Sequence, residues 1–494
     1  MSGTLTAGPR HRKTTAPAPA QARFTLAVAA GKAAGAASRA LGRGGGTSFP
    51  GLLARRIDPH VLRKVAAVSN ASTVVVTGSN GKTTTCRMLA ALAQAGGLKV
   101  TQNRSGSNLL QGVISAAVHG ADLFGRMDAE LLLLEVDEAT VRRVVPEMQP
   151  DVFVVTNIFR DQLDRFGELY SMARMLQTVV HALPSTATVV LNADDPLVAS
   201  LPEETGTAAA ANGTAARVVW YGIQDAGTGR KVPEHSADTI RCVRCQHTLT
   251  YRAVHLAHLG DYSCPACGRS RPALDVAVSA IRPAPEGGSD ITIETPAGPM
   301  PLRVPLAGVH NVYNAAAALA CVTALSLPKP LDPADARQAM AGVRPAFGRL
   351  EEIHAGERQV MLAFVKNPTS YNTTLREVLR RPGRKHVLAA HSNTVVDGED
   401  FAWLWDVDIE ALVPQLASLT VSGTRAEEVA LRFKYAGADP ALIKVVSDRQ
   451  AALQAALAQL PPGEALHILA GYTPMRELRG VMQRRGWVSP SWEE

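Results

Sequence analysis

Hydrophobic positions along this chain gather into short β-branched or leucine-rich runs, each ending in a polar tip. Residues 73–77 (T-V-V-V-T), 130–135 (E-L-L-L-L-E), 151–157 (D-V-F-V-V-T-N) and 188–191 (T-V-V-L) share this form. Apolar runs of this length bounded by turn chemistry read as strands buried on both faces, the habit of parallel sheets covered by helices. Met88–Ala95 reads as the helix that follows the first strand. Repetition of strand, polar tip and helix predicts an α/β fold built on a mostly parallel nucleotide-binding sheet.

The first polar tip carries the clearest chemistry, T-G-S-N-G-K-T at 77–83. Gly78 and Gly81 let the backbone turn and bring its N–H groups against phosphate oxygens, assisted by the N-terminus of the next helix. Lys82 supplies a point charge to the outer phosphates, and the Thr83 hydroxyl suits magnesium. Asn80 and Thr84 complete the predicted nucleotide loop. Only two residues separate the glycines, a shorter spacing than in G-x-x-x-x-G-K-[ST]. The second strand ends in E-V-D-E at 135–138, and ligand groups collect at the carboxyl ends of parallel strands, so Glu135 is a second predicted magnesium ligand.

Four of the six cysteines form two C-x-x-C pairs, Cys242/Cys245 and Cys264/Cys267, enclosing 18 residues. That spacing is a four-thiolate zinc ribbon, with Leu249, Tyr251 and Tyr262 available to cover it. A closed four-cysteine site leaves no position for substrate, so its predicted role is structural. Cys86 and Cys321 read as small apolar residues on helices.

At 494 residues and 46% hydrophobic content the chain suffices for two or three compact units. The expected division is a disordered lead over 1–48 containing at most a short helix, a nucleotide-binding domain over 49–344 with the ribbon at about 236–275, and a C-terminal α/β domain over 345–494. No apolar run reaches the roughly 18 to 20 residues of a membrane span. The net charge of +7 belongs to the lead, since nine Lys and Arg residues precede the first acid, Asp58. The remainder is nearly balanced, which argues against nucleic acid as a partner. A helix carrying Arg23, Lys32 and Arg39 is the one candidate for contact with an anionic membrane surface.

In order along the chain, T-G-S-N-G-K-T, E-V-D-E, T-N-I-x-x-D-x-L-D (156–164), N-A-D-D (192–195), G-V-H-N-x-x-N (308–314) and G-R-L-E (348–351) resemble the Mur ligase family and the related folylpolyglutamate synthetases. The resemblance implies ATP-dependent carboxylate activation, with Asn311 and Asn314 at the adenine end of the nucleotide and Arg349 also on the nucleotide. From its chemistry alone, Asn311 equally suits the cap of a helix starting near Val312. Three departures stand out. Gln162 occupies the place of a metal-associated His, Arg174 lies in a stretch without the lysine that several members carbamylate, and no UDP-sugar-sized domain precedes the phosphate loop.

Further segments sharpen the resemblance: V-K-N-P-T-S (365–370), H-S-N-T (391–394), D-G-E-D-F-A-W-L-W-D-V-D (397–408) and G-Y-T-P-M-R-E-L-R (471–479). With the ribbon, they are similar to the MurT family, the Mur-ligase-like subunits of lipid II isoglutaminyl synthase. This implies amidation of the D-glutamate α-carboxylate in lipid II through an acyl phosphate, using ATP, Mg2+ and a structural Zn2+, at the cytoplasmic face of the bacterial plasma membrane. Ammonia would come from a separate glutaminase, GatD, whose Cys–His pair borrows an acid from this chain. Among Asp397, Asp400, Asp406 and Asp408, the choice is Asp406, flanked by Trp405 and following Trp403 as interface anchors. Lys366 is an open candidate for assisting the acyl phosphate. A free-standing peptide ligase and a nucleotide-regulated binding subunit are the competing readings.

Overall fold

The computed structural model of the chain describes residues 18–40, 48–103, 107–160, 169–203, 214–234, 237–284, 287–345, 348–394 and 397–489. Gln162 and residues 1–17 lie outside them. The chain divides into two compact units, one formed up to Ile158 and by Tyr170–Val232 and Thr239–Val343, the other by Phe159–Leu169, Pro233–Asp238 and the residues from Arg344 onward.

In the first unit, helices α1 (Ala18–Ala40), α2 (Phe49–Ile57) and α3 (Val61–Val68) precede β1 (Ser72–Thr77) and α4 (Lys82–Ala95). Next come β2 (Val100–Gln102), α5 (Leu110–Gly120), β3 (Leu131–Glu135), α6 (Val141–Met148), β4 (Val152–Val155), α7 (Leu169–His181), β5 (Thr188–Asn192) and β6 (Arg217–Ile223). The hairpin β7 (Thr250–Leu256) and β8 (Leu259–Ser263) intervenes before β9 (Val276–Pro283), β10 (Ser289–Thr295), β11 (Gly298–Val304), α8 (Val309–Thr323) and α9 (Pro333–Ala341). The sheet order is β11-β10-β9-β6-β5-β4-β1-β3-β2. From β2 to β9 every neighbouring pair is parallel, and β10 and β11 extend the sheet antiparallel.

The four apolar runs are central strands, and β3 and β4 are buried throughout, as covered parallel strands require. After β1 the chain visits β2 and β3 on one side and then β4 on the other. The turn after β1 therefore opens at a switch point of the sheet, where α/β folds bind ligands. The four-cysteine segment is inserted between β6 and β9, and β9 rejoins the sheet parallel to β6 with Tyr221 opposite Val276.

The possible helix of the lead is longer than expected, running over the 23 residues Ala18–Ala40. Phe24, Ala27 and Val28 are buried against the body. Small residues permit the close approach: a Cβ on Gly31 would lie 2.9 Å from Val118 Cγ1, and one on Gly51 of α2 would lie 2.0 Å from the Gln111 carbonyl of α5. Arg23 donates to the Ile57 carbonyl at 2.5 Å and Lys32 to that of His119 at 3.0 Å. Two of the three cations considered for membrane contact are thus bonded to the protein itself.

The second unit adds β12 (Glu351–Ala355), β13 (Arg358–Phe364), α10 (Pro368–Arg380), β14 (Lys385–Ala390), β15 (Leu416–Ser422), α11 (Ala426–Tyr435), β16 (Ile443–Val445), α12 (Arg449–Ala458), β17 (Ala465–Ala470) and α13 (Tyr472–Arg484). Its order, β12-β13-β17-β14-β15-β16, is parallel apart from the β12–β13 hairpin. One core cluster gathers Tyr371, Leu404, Ile409 and Phe433, and another Leu453, Ile468, Leu478 and Met482.

Because Phe24 is fully enclosed, Phe24→Ala should cost about 3 kcal/mol of stability. Urea unfolding of the full chain measures this, and a truly disordered lead would show no change.

Candidate functional site

The turn after β1 has the backbone that phosphate binding needs. Gly78 and Gly81 take φ of 124° and 86°, a region that L side chains rarely adopt. Space forbids a side chain as well, since a Cβ on Gly78 would lie 2.3 Å from Thr156 Oγ1 and one on Gly81 2.1 Å from Asn314 Oδ1. The tip of β4 holds the loop in place. The Asn157 carbonyl accepts from Ser79 N at 2.9 Å, its Oδ1 accepts from Asn80 N at 2.9 Å, and its Nδ2 donates to the Asn80 carbonyl at 3.1 Å. Lys82, Thr83 and Thr84 form the first turn of α4, which starts earlier than Met88.

Lys82 is buried, and its ammonium donates to the Gly78 carbonyl at 2.6 Å and pairs with Glu138 at 3.1 Å. Its ion-pair partner is therefore the last acid of E-V-D-E. Glu135 stands at the end of β3, also buried, its backbone N–H and carbonyl both tied to the Asn103 side chain at 2.8 Å. Asn108 Nδ2 reaches Glu135 Oε1 at 3.4 Å. An inward carboxylate and the half-buried Thr83 hydroxyl are oxygen donors of the kind magnesium takes.

The helix α8 begins at Val309, so Asn311 lies within its first turn and does not cap it. Asn311 Nδ2 donates to the Ala307 carbonyl at 2.7 Å, and its Oδ1 accepts from Asn314 at 3.1 Å. Asn314 Oδ1 in turn accepts from Thr85 at 3.3 Å, directly beneath Gly81. Both asparagines are buried, and Asn314 adjoins the phosphate loop. Arg349 lies in the second unit, its guanidinium 5.4 Å from the Phe364 ring centre.

N-A-D-D proves to be a fully buried clamp. Asp194 accepts from Ile223 N at 2.9 Å, Tyr313 Oη at 2.6 Å and Arg271 at 2.9 Å. Asp195 accepts from Ile158 N at 2.8 Å and Leu197 N at 2.9 Å, with His258 Nε2 at 3.7 Å. Sequence reading marked the two acids but not Arg271, His258 or Tyr313, which carry no motif of their own.

The four cysteines converge, with all four sulfurs within 4.8 Å of one another. The Cys242–Cys267 and Cys245–Cys264 separations are 3.6 Å and 3.4 Å. A disulfide needs about 2.05 Å, whereas the edge of a tetrahedron with Zn–S bonds of 2.3 Å is about 3.8 Å. The two knuckles share one backbone pattern. Gln246 N and Gly268 N donate to the carbonyls of Cys242 and Cys264, and both residues take positive φ. Ala199, Leu249 and Tyr262 pack against the sulfurs, and Tyr251 flanks them. This donor set fits zinc. Cys86 and Cys321 sit inside α4 and α8, where burial pushes both thiols up.

In the second unit, His391 at the end of β14 is enclosed by Tyr371, Phe401 and Trp403, with ring centres 5.7, 5.2 and 6.0 Å away. Burial lowers its pKa to about 3, so it is neutral at physiological pH. Trp403 is thus half-buried, one edge packed on this ring cluster. Trp405 is 51% exposed, lies edge-on to the exposed Tyr435 at 5.7 Å, and is backed by Arg432 at 5.6 Å. Beside it, Asp406 is one-third exposed and pairs with Arg160 at 3.1 Å. Burial opposes the Arg160 charge, and Asp238 and Asp406 more than offset it. Asp397 caps the start of α13 by accepting from Thr473 N at 2.8 Å, and Asp400 accepts from Ala402 N at 2.8 Å. Asp408 donates its backbone N–H to Asn372. Lys366 precedes the capping box that Asn367 and Ser370 form at the start of α10.

Comparison with known proteins agrees with this layout. Residues 76–264 match the Mur ligase middle domain and residues 364–475 the MurT ligase C-terminal domain. The lipid II isoglutaminyl synthase (glutamine-hydrolyzing) subunit MurT of Staphylococcus aureus N315 is 30% identical over 84% of this chain and 89% of its own. The chain belongs to the MurT family. The MurT subunit of Streptococcus pneumoniae R6 is 29% identical over 93% of this chain and 97% of its own. Solved structures share the Mur ligase fold of this MurT chain. A pseudomurein peptide ligase type C from Methanothermus fervidus has a TM-score of 0.63 at 19% identity, covering 84% of this chain and 79% of its own. The Mycobacterium tuberculosis folylpolyglutamate synthase complexed with ADP and AMPPCP has 0.59 at 16% identity, covering 94% and 96%.

Two expected outcomes follow from this MurT geometry. Cys264→Ser should lose bound zinc and lower the melting temperature, measured by metal analysis and thermal unfolding, because one missing thiolate opens the tetrahedron. His391 has a folded pKa below its unfolded value near 6.5. Its contribution is therefore complete above about pH 6.5 and is lost as the pH falls toward 3, about 2 kcal/mol of it by pH 5. The drop in urea midpoint between pH 7 and pH 5 should shrink in His391→Leu. An unchanged drop would contradict the buried neutral imidazole.

Proposed function

We propose that this chain is the ligase subunit of a lipid II isoglutaminyl synthase, amidating the α-carboxylate of D-glutamate in the lipid II stem peptide to D-isoglutamine. The observation that carries the reading is end-to-end similarity to MurT subunits combined with a phosphate loop set against the acids of E-V-D-E. ATP is the proposed substrate for activation, and Gly78, Asn80, Gly81, Lys82, Thr83 and Thr84 are assigned to its phosphates. Asn311, Asn314 and Arg349 are assigned to the remainder of the nucleotide. Thr83 and Glu135 would hold magnesium, which neutralises phosphate charge when bound. The four cysteines would hold a structural zinc.

The carboxylate oxygen attacks the γ-phosphorus, ADP leaves, and an acyl phosphate forms. Ammonia then attacks the acyl carbon, loses a proton and expels phosphate, leaving the amide. Little covalent chemistry falls to the protein in such a sequence, and its work is alignment and charge neutralisation. Glu138 holds the Lys82 ammonium at the loop before nucleotide arrives, and incoming phosphates compete for that same charge.

Ammonia is proposed to come from a separate glutaminase subunit of the GatD type. Asp406 is assigned as the acid that orients its catalytic His, because it is solvent-reachable beside the exposed Trp405–Tyr435 pair, while Asp397 accepts from Thr473 N and Asp400 from Ala402 N. No described helix is long and apolar enough to cross a membrane. The reading puts the reaction at the cytoplasmic face of the plasma membrane, where the headgroup of a lipid-anchored substrate is reached from water.

Incubation with Mg-ATP and lipid II, supplied with either ammonium at alkaline pH or glutamine plus the glutaminase, tests this by mass spectrometry. The expected product shows exchange of a carboxyl OH for NH2 on both routes. Asp406→Asn should abolish the glutamine route and leave the ammonium route intact. Incorporation of an amino acid with no amide formed would instead make the chain a peptide ligase, and slow ATP hydrolysis without product would make it a binding subunit.

A further inference from the structure

Asp194 and Asp195 touch no solvent; Asp194 is hydrogen-bonded to the four-cysteine ribbon, Asp195 lies 3.7 Å from the ribbon's His258, and each is bonded to a group beside one flank of the phosphate loop. We infer that these two acids are positioning residues, through which the folded ribbon sets the geometry of the phosphate loop. This rests on the reading of residues 77–84 as a nucleotide site.

The first connection runs through Asp194. Arg271, on the segment returning from the second knuckle to β9, donates to Oδ1 at 2.9 Å, and Gly260 N of β8 donates to the Asp194 carbonyl at 3.0 Å. Oδ2 accepts from the Tyr313 hydroxyl at 2.6 Å. Burial, with Asp194 beside it, pushes that hydroxyl well above its ordinary pKa, so it remains a donor. Tyr313 is followed on α8 by Asn314, whose Oδ1 accepts from Thr85 and lies against Gly81.

The second connection runs through Asp195. His258, in the turn between β7 and β8, approaches Oδ1 at 3.7 Å, and Oδ2 accepts from Ile158 N at 2.8 Å. Ile158 follows Asn157, the residue that holds Ser79 and Asn80. Both supports of the loop, Asn157 and Asn314, therefore stand one residue from a group bonded to an acid that the ribbon engages. A loop that binds by aiming several N–H groups at once loses affinity when either support shifts.

The test is calorimetric titration of the zinc-loaded full chain with Mg-ADP, alongside metal content and the melting temperature without nucleotide. Tyr313→Phe removes one oxygen and should retain zinc while weakening Mg-ADP by about fivefold to tenfold, less than the full worth of one hydrogen bond to a charged group because the change reaches the loop through Asn314. Arg271→Met should weaken it at least as much, with partial recovery in Arg271→Lys. Thr250→Val, which removes an exposed hydroxyl contact with Ser263 on the ribbon, should bind as the parent does. A purely structural role would lower the melting temperature of Tyr313→Phe and leave its Mg-ADP affinity at the parental value, and that result overturns the inference. Should Arg271→Met fail to fold, Tyr313→Phe decides alone. A parent chain that does not bind Mg-ADP overturns the nucleotide reading and this inference with it.

Discussion

Two adjacent carboxylates without access to water are the constraint around which the first unit is arranged. An ionised acid in a protein interior is costly unless donors surround it. Asp194 and Asp195 draw those donors from the end of β4, from β6, from α8 and from the ribbon, so none of these elements can move without leaving a buried charge uncompensated. The crowding is severe enough that a Cβ on Gly222 would lie 2.5 Å from Asp194 Oδ1. Placing the phosphate loop at the sheet's switch point is general to the architecture. Fixing its two flanks is the work of this particular cluster.

What could be read from the sequence was local. The strands β1, β3, β4 and β5 announce themselves as apolar runs, the phosphate loop as two glycines before a lysine, and the ribbon as two knuckles at zinc spacing. Partnerships across the chain were not legible. Lys82 and Glu138 are 56 positions apart and Tyr313 and Asp194 are 119 apart, and a lone tyrosine on an apolar helix gives no hint of which acid it meets. The unequal exposure of the W-x-W pair was not legible for a related reason. Alternation marks one tryptophan as the more inward only when the backbone period is known, and residues 402–406 form a 3-10 turn that leaves Trp403 half-buried against the rings of Phe401 and Tyr371 and Trp405 outside.

The length of the N-terminal helix, 23 residues where a short one was possible, was not legible in composition. Alanine and glycine remove little apolar area from water per residue, so a segment rich in them looks unable to fold by itself. In compensation they allow backbones to approach, and Gly31 and Gly51 permit three helices to pack with contacts that any larger residue would prevent. Its cations, read as a surface feature, answer carbonyls at the ends of neighbouring helices, where unpaired acceptors collect.

In the second unit the same economy of polar groups separates an inert histidine from a reactive edge. His391 is the residue that a search for catalysis selects first, since it stands at the carboxyl end of a parallel strand. Enclosed by three aromatic rings and neutral at physiological pH, it serves packing and has no route to a proton acceptor in water. On the proposed function, chemistry directed at another chain would come from groups that solvent reaches. Of the four aspartates in 397–408, Asp397 holds Thr473 N and Asp400 holds Ala402 N, whereas Asp406 pairs with Arg160 and keeps contact with water beside an exposed indole. On that proposal, a carboxylate in this setting keeps its Arg160 partner and would gain strength as a hydrogen-bond acceptor once a docked surface excluded the water around it.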